Sequence, residues 1–336
     1  MKINQFIVKP YSIPFTNPLR TSGHTYTHRD GIWLCIKWED YSGWGEAAPL
    51  VGFSKELLQE VHYTLEGFHQ AIDGEIIDTE EMLFLIEAHT EGNPSARFAL
   101  ETAFYDLLAK HSDQSISTYL NPNAFTEISV NGIASMHTPE DGFHVLKVKV
   151  GFRNLFDEME HLDLLRSSYG ENILFRLDVN GAFDLPKAIR FCKEMEVFNI
   201  DYIEQPTLKL DDLYELRMIS DIAIAVDESL TNYESLDNIL QAGAADVLII
   251  KPTLTGGVED IKNIIETANK ENLRVILTSS FETNIAQTFI LHLIASLRIV
   301  EHCGIFNVNL YDEATPEVKK DYCKVPQNNG LGLFNE

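Results

Sequence analysis

Short, largely apolar runs, each closed by a polar or charged residue and followed by a helical pattern, recur down the last two thirds of the chain and restrict the folds open to it. They are Ile128 to Ile133, Leu146 to Val150, Leu174 to Val179, Ile200 to Ile203, Ile222 to Val226, Val247 to Ile250, Arg274 to Leu277 and Ile305 to Leu310. Their starts recur about every 25 residues, the spacing of parallel strands that each carry one crossover helix. A doubly wound sheet alternates in the same way, but polar residues at the C-terminal ends of successive strands favour a closed barrel. The expected fold class is α/β, a (β/α)7β TIM-type barrel over residues 113–310.

Residues 1–112 are written differently. Ile32 to Trp38 reads as a strand, Asp40-Tyr41-Ser42-Gly43 as a turn and Trp44 to Ala47 as the returning strand. Helical patterns follow: Asn93-Pro94 supplies an N-cap and a first-turn proline, and Phe98, Ala99, Ala103, Phe104, Leu107 and Leu108 recur at helical spacing. Strands followed by helices mark an α+β capping domain, and residues 311–336 are expected to return to it.

The 336 residues, 45% of them hydrophobic, suffice for a barrel and a smaller companion. Lys and Arg number 26 against 51 Asp and Glu, and a net charge of −25 argues against nucleic acid or an anionic membrane as partner. Cys35, Cys192, Cys303 and Cys323 are scattered, as for buried thiols in a reducing compartment. The start of the chain lacks an apolar signal region and no stretch approaches a membrane span, so a cytoplasmic location is expected. The sequence carries no indication of oligomeric state.

Three runs end in acids: Asp178, Glu204 and Asp227. One strand-end acid serves readily as a helix N-cap. Three on adjacent barrel strands converge at one mouth, where oxygen ligands suit a hard divalent cation such as Mg²⁺. Lysines end the flanking strands, Lys147 and Lys149 before the acids and Lys251 after them. Lys147 and Lys149 lie two apart and so share a strand face. Buried neighbouring amines raise each other's cost of protonation, so one of them can become a base near neutral pH. Asn180 is spaced to hydrogen-bond a metal-bound water. Arg176 points into the barrel, either as an ion-paired structural residue or as one that orients substrate. Ser279 and Ser280 close the seventh run, as carboxylate binders or as ordinary N-caps. The segments Arg20 to Tyr26 and Leu50 to Ser54 read as lids, with Tyr26 and Phe53 either covering substrate or packing between domains. Gly256-Gly257 has neither dinucleotide nor Walker spacing, and neither zinc-hydrolase nor Ser-His-Asp patterns occur.

Trp44-Gly45-Glu46-Ala47-Ala48-Pro49-Leu50, Lys147-Val148-Lys149, Asp178-Val179-Asn180, Ile203-Glu204-Gln205-Pro206, Asp227-Glu228-Ser229 and Lys251-Pro252 stand in the order of the enolase-superfamily motifs. Over nearly its whole length the chain resembles the muconate-lactonizing-enzyme subgroup. Ile250 to Gly257 with Thr278 to Thr283 most resembles the o-succinylbenzoate synthases of menaquinone biosynthesis. The resemblance implies Mg²⁺ on Asp178, Glu204 and Asp227, Lys149 as acid and base, and Lys147 as its electrostatic neighbour. It gives Lys251 to the opposite face of the substrate, as a second acid/base in racemases or a cation–π partner in the synthase. A lysine base with Mg²⁺ stabilising an enediolate is general to enolase-superfamily sites. The implied reaction takes a small anionic carboxylate, 2-succinyl-6-hydroxy-2,4-cyclohexadiene-1-carboxylate, to 2-succinylbenzoate with loss of water.

Other functions fit the same scaffold. An N-succinylamino acid racemase or dipeptide epimerase is the nearest, although epimerases of this subgroup usually carry Asp-x-Asp on the eighth strand where this chain has Asn307-Val308-Asn309. A muconate-type cycloisomerase follows, and a non-catalytic binding protein is remote because all three acids and all three lysines are present.

Overall fold

Three strands, β1 (Gln5–Arg20), β2 (Thr25–Trp38) and β3 (Tyr41–Ala47), form an antiparallel sheet in that order. The computed structural model describes residues 1–20, 25–305 and 318–333. The β2–β3 turn is Glu39-Asp40, earlier than the sequence suggests, because Trp38 pairs with Tyr41 and Lys37 with Ser42. Glu39 takes the left-handed conformation this tight reversal needs, at φ 54. Helices α1 (Leu58–Ile72), α2 (Thr79–His89) and α3 (Pro94–His111) cover the sheet. Val61, Leu65, Phe68, Ile86 and Phe104 pack there with Ile32 and Leu34 in one core. Asn93 is the N-cap residue of α3, but its side chain makes no capping bond; Pro94 supplies the rigid first turn.

A short helix α4 (Ile116–Leu120) leads to β4 (Glu127–Ser129) and β5 (Gly132–Ile133). The single strand expected over Ile128 to Ile133 is thus divided. Its first part pairs antiparallel with the C-terminal strand, through Ile128 and Cys323, and only its second part joins the parallel sheet. The crossovers then run β6 (Val145–Lys149), α5 (Leu155–Tyr169), β7 (Leu174–Asp178), α6 (Leu185–Met195), β8 (Ile200–Glu204) and α7 (Leu210–Ile219). They continue with β9 (Ala223–Val226), α8 (Tyr233–Ala242), β10 (Val247–Ile250), α9 (Pro252–Thr255), α10 (Val258–Lys270), β11 (Arg274–Leu277) and α11 (Asn284–Ser296). The chain ends with β12 (Val318–Lys319) and β13 (Tyr322–Lys324), beside β4.

Strands β5 to β11 make a curled seven-stranded parallel sheet in sequential order. Parallel bridges from Thr278 to Gly304 and from Val130 to Cys303 carry the chain from its last strand towards its first. Most of the expected eighth strand, and with it Asn307 to Asn309, lies outside the described residues, as do Thr21 to His24 of the first lid. The architecture is enolase-like, an N-terminal sheet domain against a TIM-type barrel, with both faces of the parallel sheet buried as its continuous apolar runs require. Among the described residues no helix is long and apolar enough to cross a membrane. All four cysteines are buried.

Candidate active site

Parallel pairing sets the site. Lys149 on β6 is in register with Asp178 on β7, and Asp178 with Glu204 on β8. Glu204 pairs with Ala225, two residues before Asp227 at the end of β9. Period-two alternation then turns Lys147 to the same face as Lys149, one step deeper. Lys251 follows β10, so three acid-bearing strands separate it from the Lys147–Lys149 strand.

These groups, Glu204 excepted, line a cavity of about 180 Å³. Its floor carries Lys147, Lys149, Asp178, Asn180, Asp227 and Lys251, and its wall Thr278, Ser279 and Ser280. Leu19, Leu50, Phe53, Ile133, Met136 and Phe281 make the rest largely apolar, with Ser135 among them. The Lys147 ammonium bridges Asp178, at 2.9 Å, and Glu204, at 2.7 Å. Lys251 Nζ lies 2.5 Å from Asp227 Oδ2 and 5.1 Å from the centre of the Phe53 ring. Lys149 is held less tightly: its Nζ donates to Asn180 Oδ1 at 2.9 Å, stands 3.6 Å from Asp178, and its side chain is 37% exposed.

Burial and neighbouring charge compete across this cluster. Burial pushes the Asp178 carboxyl up, but Lys147 and Lys149 outweigh it and hold it at about 2. For Glu204 burial wins, reinforced by Asp178, and its carboxyl is raised well above the usual range. Burial favours a neutral Lys147, yet Asp178, Glu204 and Asp227 together raise it well above an ordinary lysine. At Lys147 the neighbouring acids therefore outweigh the mutual lysine repulsion expected from sequence. Lys251 is likewise raised, by Asp227 and Glu228 against burial.

The donor set fits a hard cation. Asp178, Glu204 and Asp227 offer only oxygen, and Glu204 Oε2 and Glu228 Oε2 are buried without a partner among the described residues. Among those residues no three His, Cys, Asp or Glu side chains yet stand close enough to hold a metal; lysine ammoniums lie between the acids instead.

Other candidates sort by placement. Asn180 bridges Lys149 and Glu228, donating to Glu228 Oε1 at 2.9 Å. Ser280 lines the cavity with its Oγ buried and unpartnered among the described residues, whereas Ser279 Oγ donates to Gly304 O at 3.4 Å. Phe53 is in the roof; Tyr26 is not, and instead donates to Val51 O at 2.5 Å, bracing that loop from outside. Arg176 is ion-paired. It is 1% exposed, bonds Asp201 at 2.8 Å, Asn131 and the His302 carbonyl, and reaches Glu301, away from the cavity lining.

Two contributors were not singled out from sequence. Glu228 follows Asp227 directly, and only its position beside Asn180 reveals it. Gln205 accepts from Asp227 N at 3.0 Å and Ser229 N at 3.3 Å, and donates to Thr207 O and Ser229 Oγ at 2.8 Å. Its amide braces the strand end that bears Asp227, which an acid in that place could not do with the same donors.

Residues 133–334 match the family described as Enolase C-terminal domain-like, and residues 3–107 match the family described as MenC, N-terminal domain. The chain is 27% identical to the L-Ala-D/L-Glu epimerase of Bacillus subtilis over 320 residues, covering 89% of this chain and 86% of that protein. It is 23% identical to the N-succinyl-L-Arg/Lys racemase of Bacillus cereus, over 89% of this chain and 86% of that one. Among solved structures, the dipeptide epimerase of Cytophaga hutchinsonii, complexed with Mg and the dipeptide D-Ala-L-Val, superposes with a TM-score of 0.86 at 22% identity, covering 99% of this chain and 95% of that one.

Proposed function

The chain belongs to the enolase superfamily, and from that premise we propose that it is an o-succinylbenzoate synthase, removing a proton alpha to a carboxylate and then water from 2-succinyl-6-hydroxy-2,4-cyclohexadiene-1-carboxylate. The observation that carries this reading is the capping segment. Residues 3–107 match the MenC N-terminal domain, MenC being the designation of the menaquinone-pathway synthase, and this segment contributes Leu19, Leu50 and Phe53 to the roof. An apolar roof over lysines suits a cyclic hydrocarbon bearing carboxylates. The sequence Asn307-Val308-Asn309, without the acid pair usual in dipeptide epimerases, supports the same choice.

Asp178, Glu204 and Asp227 would hold the Mg²⁺, with Glu228 and Asn180 beside them. When bound, the cation neutralises charge that develops on the substrate carboxylate. Lys149, the least constrained of the three amines, takes the ring proton in its neutral form and returns it to the departing hydroxyl, so that water leaves and the ring becomes aromatic. Lys251, fixed beside Asp227 and over Phe53, keeps its proton and presents positive charge to the opposite face. Lys147 keeps Asp178 and Glu204 oriented. The Ser280 hydroxyl donates to a substrate oxygen.

A second reading, N-succinylamino acid racemase or dipeptide epimerase, is favoured by the named relatives and by amines on either side of the three acid-bearing strands. Purified protein with Mg²⁺ is expected to convert the cyclohexadiene carboxylate to an absorbing aromatic product faster than it racemises an N-succinylamino acid or epimerises a dipeptide. No aromatic product together with efficient racemisation or epimerisation would remove the synthase assignment and leave the superfamily standing.

A further inference from the structure

Arg29 lies on β2 in the capping sheet, outside the cavity, and is 2% exposed. Among the described residues its hydrogen bonds all go to main-chain carbonyls. Nε donates to Phe281 O at 3.0 Å; Nη1 to Pro49 O at 3.0 Å and Asp30 O at 3.1 Å; Nη2 to Ala48 O and, at 3.5 Å, to Ser280 O. Ala48 and Pro49 lead directly into the roof that carries Leu50 and Phe53, and Ser280 and Phe281 are the facing wall. One planar fork thus joins two loops that arrive from opposite ends of the sequence. A buried guanidinium needs every donor occupied, so the two sets of carbonyls are held at a fixed separation.

The wall needs holding. Phe281 has φ 63, a left-handed conformation unfavourable for a bulky side chain, and it persists where surrounding contacts over-determine it. Arg29 grips its carbonyl, and two residues on Glu46 grips the chain again, accepting from Thr283 N at 2.8 Å, Thr283 Oγ1 at 2.7 Å and Ala286 N at 3.1 Å. Both grips come from the capping sheet.

We infer that Arg29 is a positioning residue for the reaction: it sets the roof at Leu50 and Phe53 against the wall at Ser280 and Phe281, and so fixes how closely the cavity fits its substrate without touching it. The inference rests on the cavity being the substrate site, and is tested with and without substrate.

Hydrogen-exchange mass spectrometry on the full chain, wild type against Arg29→Met and Arg29→Lys, reads the first arm. Lysine keeps the charge but has no fork, so both variants are expected to raise exchange rates about tenfold in peptides covering 48–54 and 279–283 together, with β7 and β8 unchanged. The second arm uses whichever candidate substrate the wild type turns over: KM is expected to rise about tenfold while kcat stays within about threefold, a split that general destabilisation does not produce. Faster exchange confined to the peptide containing residue 29, or a lower melting temperature with unchanged KM, would overturn the inference. Should the wild type turn over neither substrate, the functional reading fails while the exchange arm still decides the role of Arg29.

Discussion

At the scale of single residues, the site is a contest among lysine amines for a few carboxylate oxygens. Lys147 takes two partners, Asp178 and Glu204, and Lys251 one, Asp227, leaving Lys149 with a neutral amide as its nearest partner. If Lys149 alone moves the proton, Lys149→Ala lowers turnover by at least about a thousandfold, in the range general acid–base catalysis supplies. Lys251→Arg, which preserves charge, retains measurable dehydration. A dead Lys251→Arg beside a working Lys149→Ala would reverse the two roles. The acids are tested apart from turnover: Asp178→Asn, Glu204→Gln and Asp227→Asn each remove one hard ligand and one neutralising charge, so calorimetric titration should find Mg²⁺ affinity reduced about tenfold or more in each. Unchanged affinity in all three would move the cation elsewhere.

At the scale of elements, legibility followed locality. The strands that bear the site were readable because each is one short, largely apolar run ending at or just before a charged residue, a signal confined to five or six positions. Strand β1 was not, since Pro10, Pro14 and Pro18 argue against any strand; it is the sheet's edge, where a missing amide costs little. Arg29 was equally unreadable, because its partners lie up to 252 residues away. The glycine of Trp44-Gly45-Glu46 is explained by packing: a Cβ at Gly45 would collide with the Ala99 carbonyl oxygen of α3, and one at Gly43 with that of Ala103. Gly45→Ala should therefore cost about 1–3 kcal/mol, read as a lower denaturation midpoint at unchanged slope. An equal midpoint would show that α3 can move away. Helix α11 carries a different liability. His292 is buried, accepts from Ser117 N at Nδ1, 3.2 Å, and therefore donates from Nε2 to Leu331 O, 3.3 Å. Burial lowers its pKa from 6.5 to about 4. The unfolded chain then binds the proton more readily than the fold, so this contribution is complete above pH 6.5 and is lost as pH falls towards 4, on the order of 3 kcal/mol in all. His292→Gln can keep both hydrogen bonds without titrating, so its stability should fall less steeply across that interval. Parallel curves for variant and wild type would locate the acid sensitivity in other groups.

At the scale of the whole molecule, the net charge of −25 opposes the anionic substrate proposed for the cavity with its three lysines. The two effects differ in range. Each lysine is paired to an acid or an amide within a few ångströms, so its attraction acts only once the substrate has entered. The surplus of carboxylates is spread over the surface and repels a dianion from a distance. Screening separates them: the Debye length falls from about 30 Å at 0.01 M salt to about 8 Å at 0.15 M, which removes the distant repulsion and leaves the buried contacts nearly untouched. Most enzymes of charged substrates lose association rate as salt rises because their field steers the ligand inward. Here the opposite sign is expected, with kcat/KM for the dianionic substrate rising about two- to fivefold between those salt concentrations at constant free Mg²⁺. A neutral ester of the same substrate, followed by binding alone, should show little change and so controls for effects of salt on the fold. A falling kcat/KM would mean that the lysine-lined mouth projects a positive field beyond the surface, and that the acidic majority of the chain lies on faces remote from the entrance.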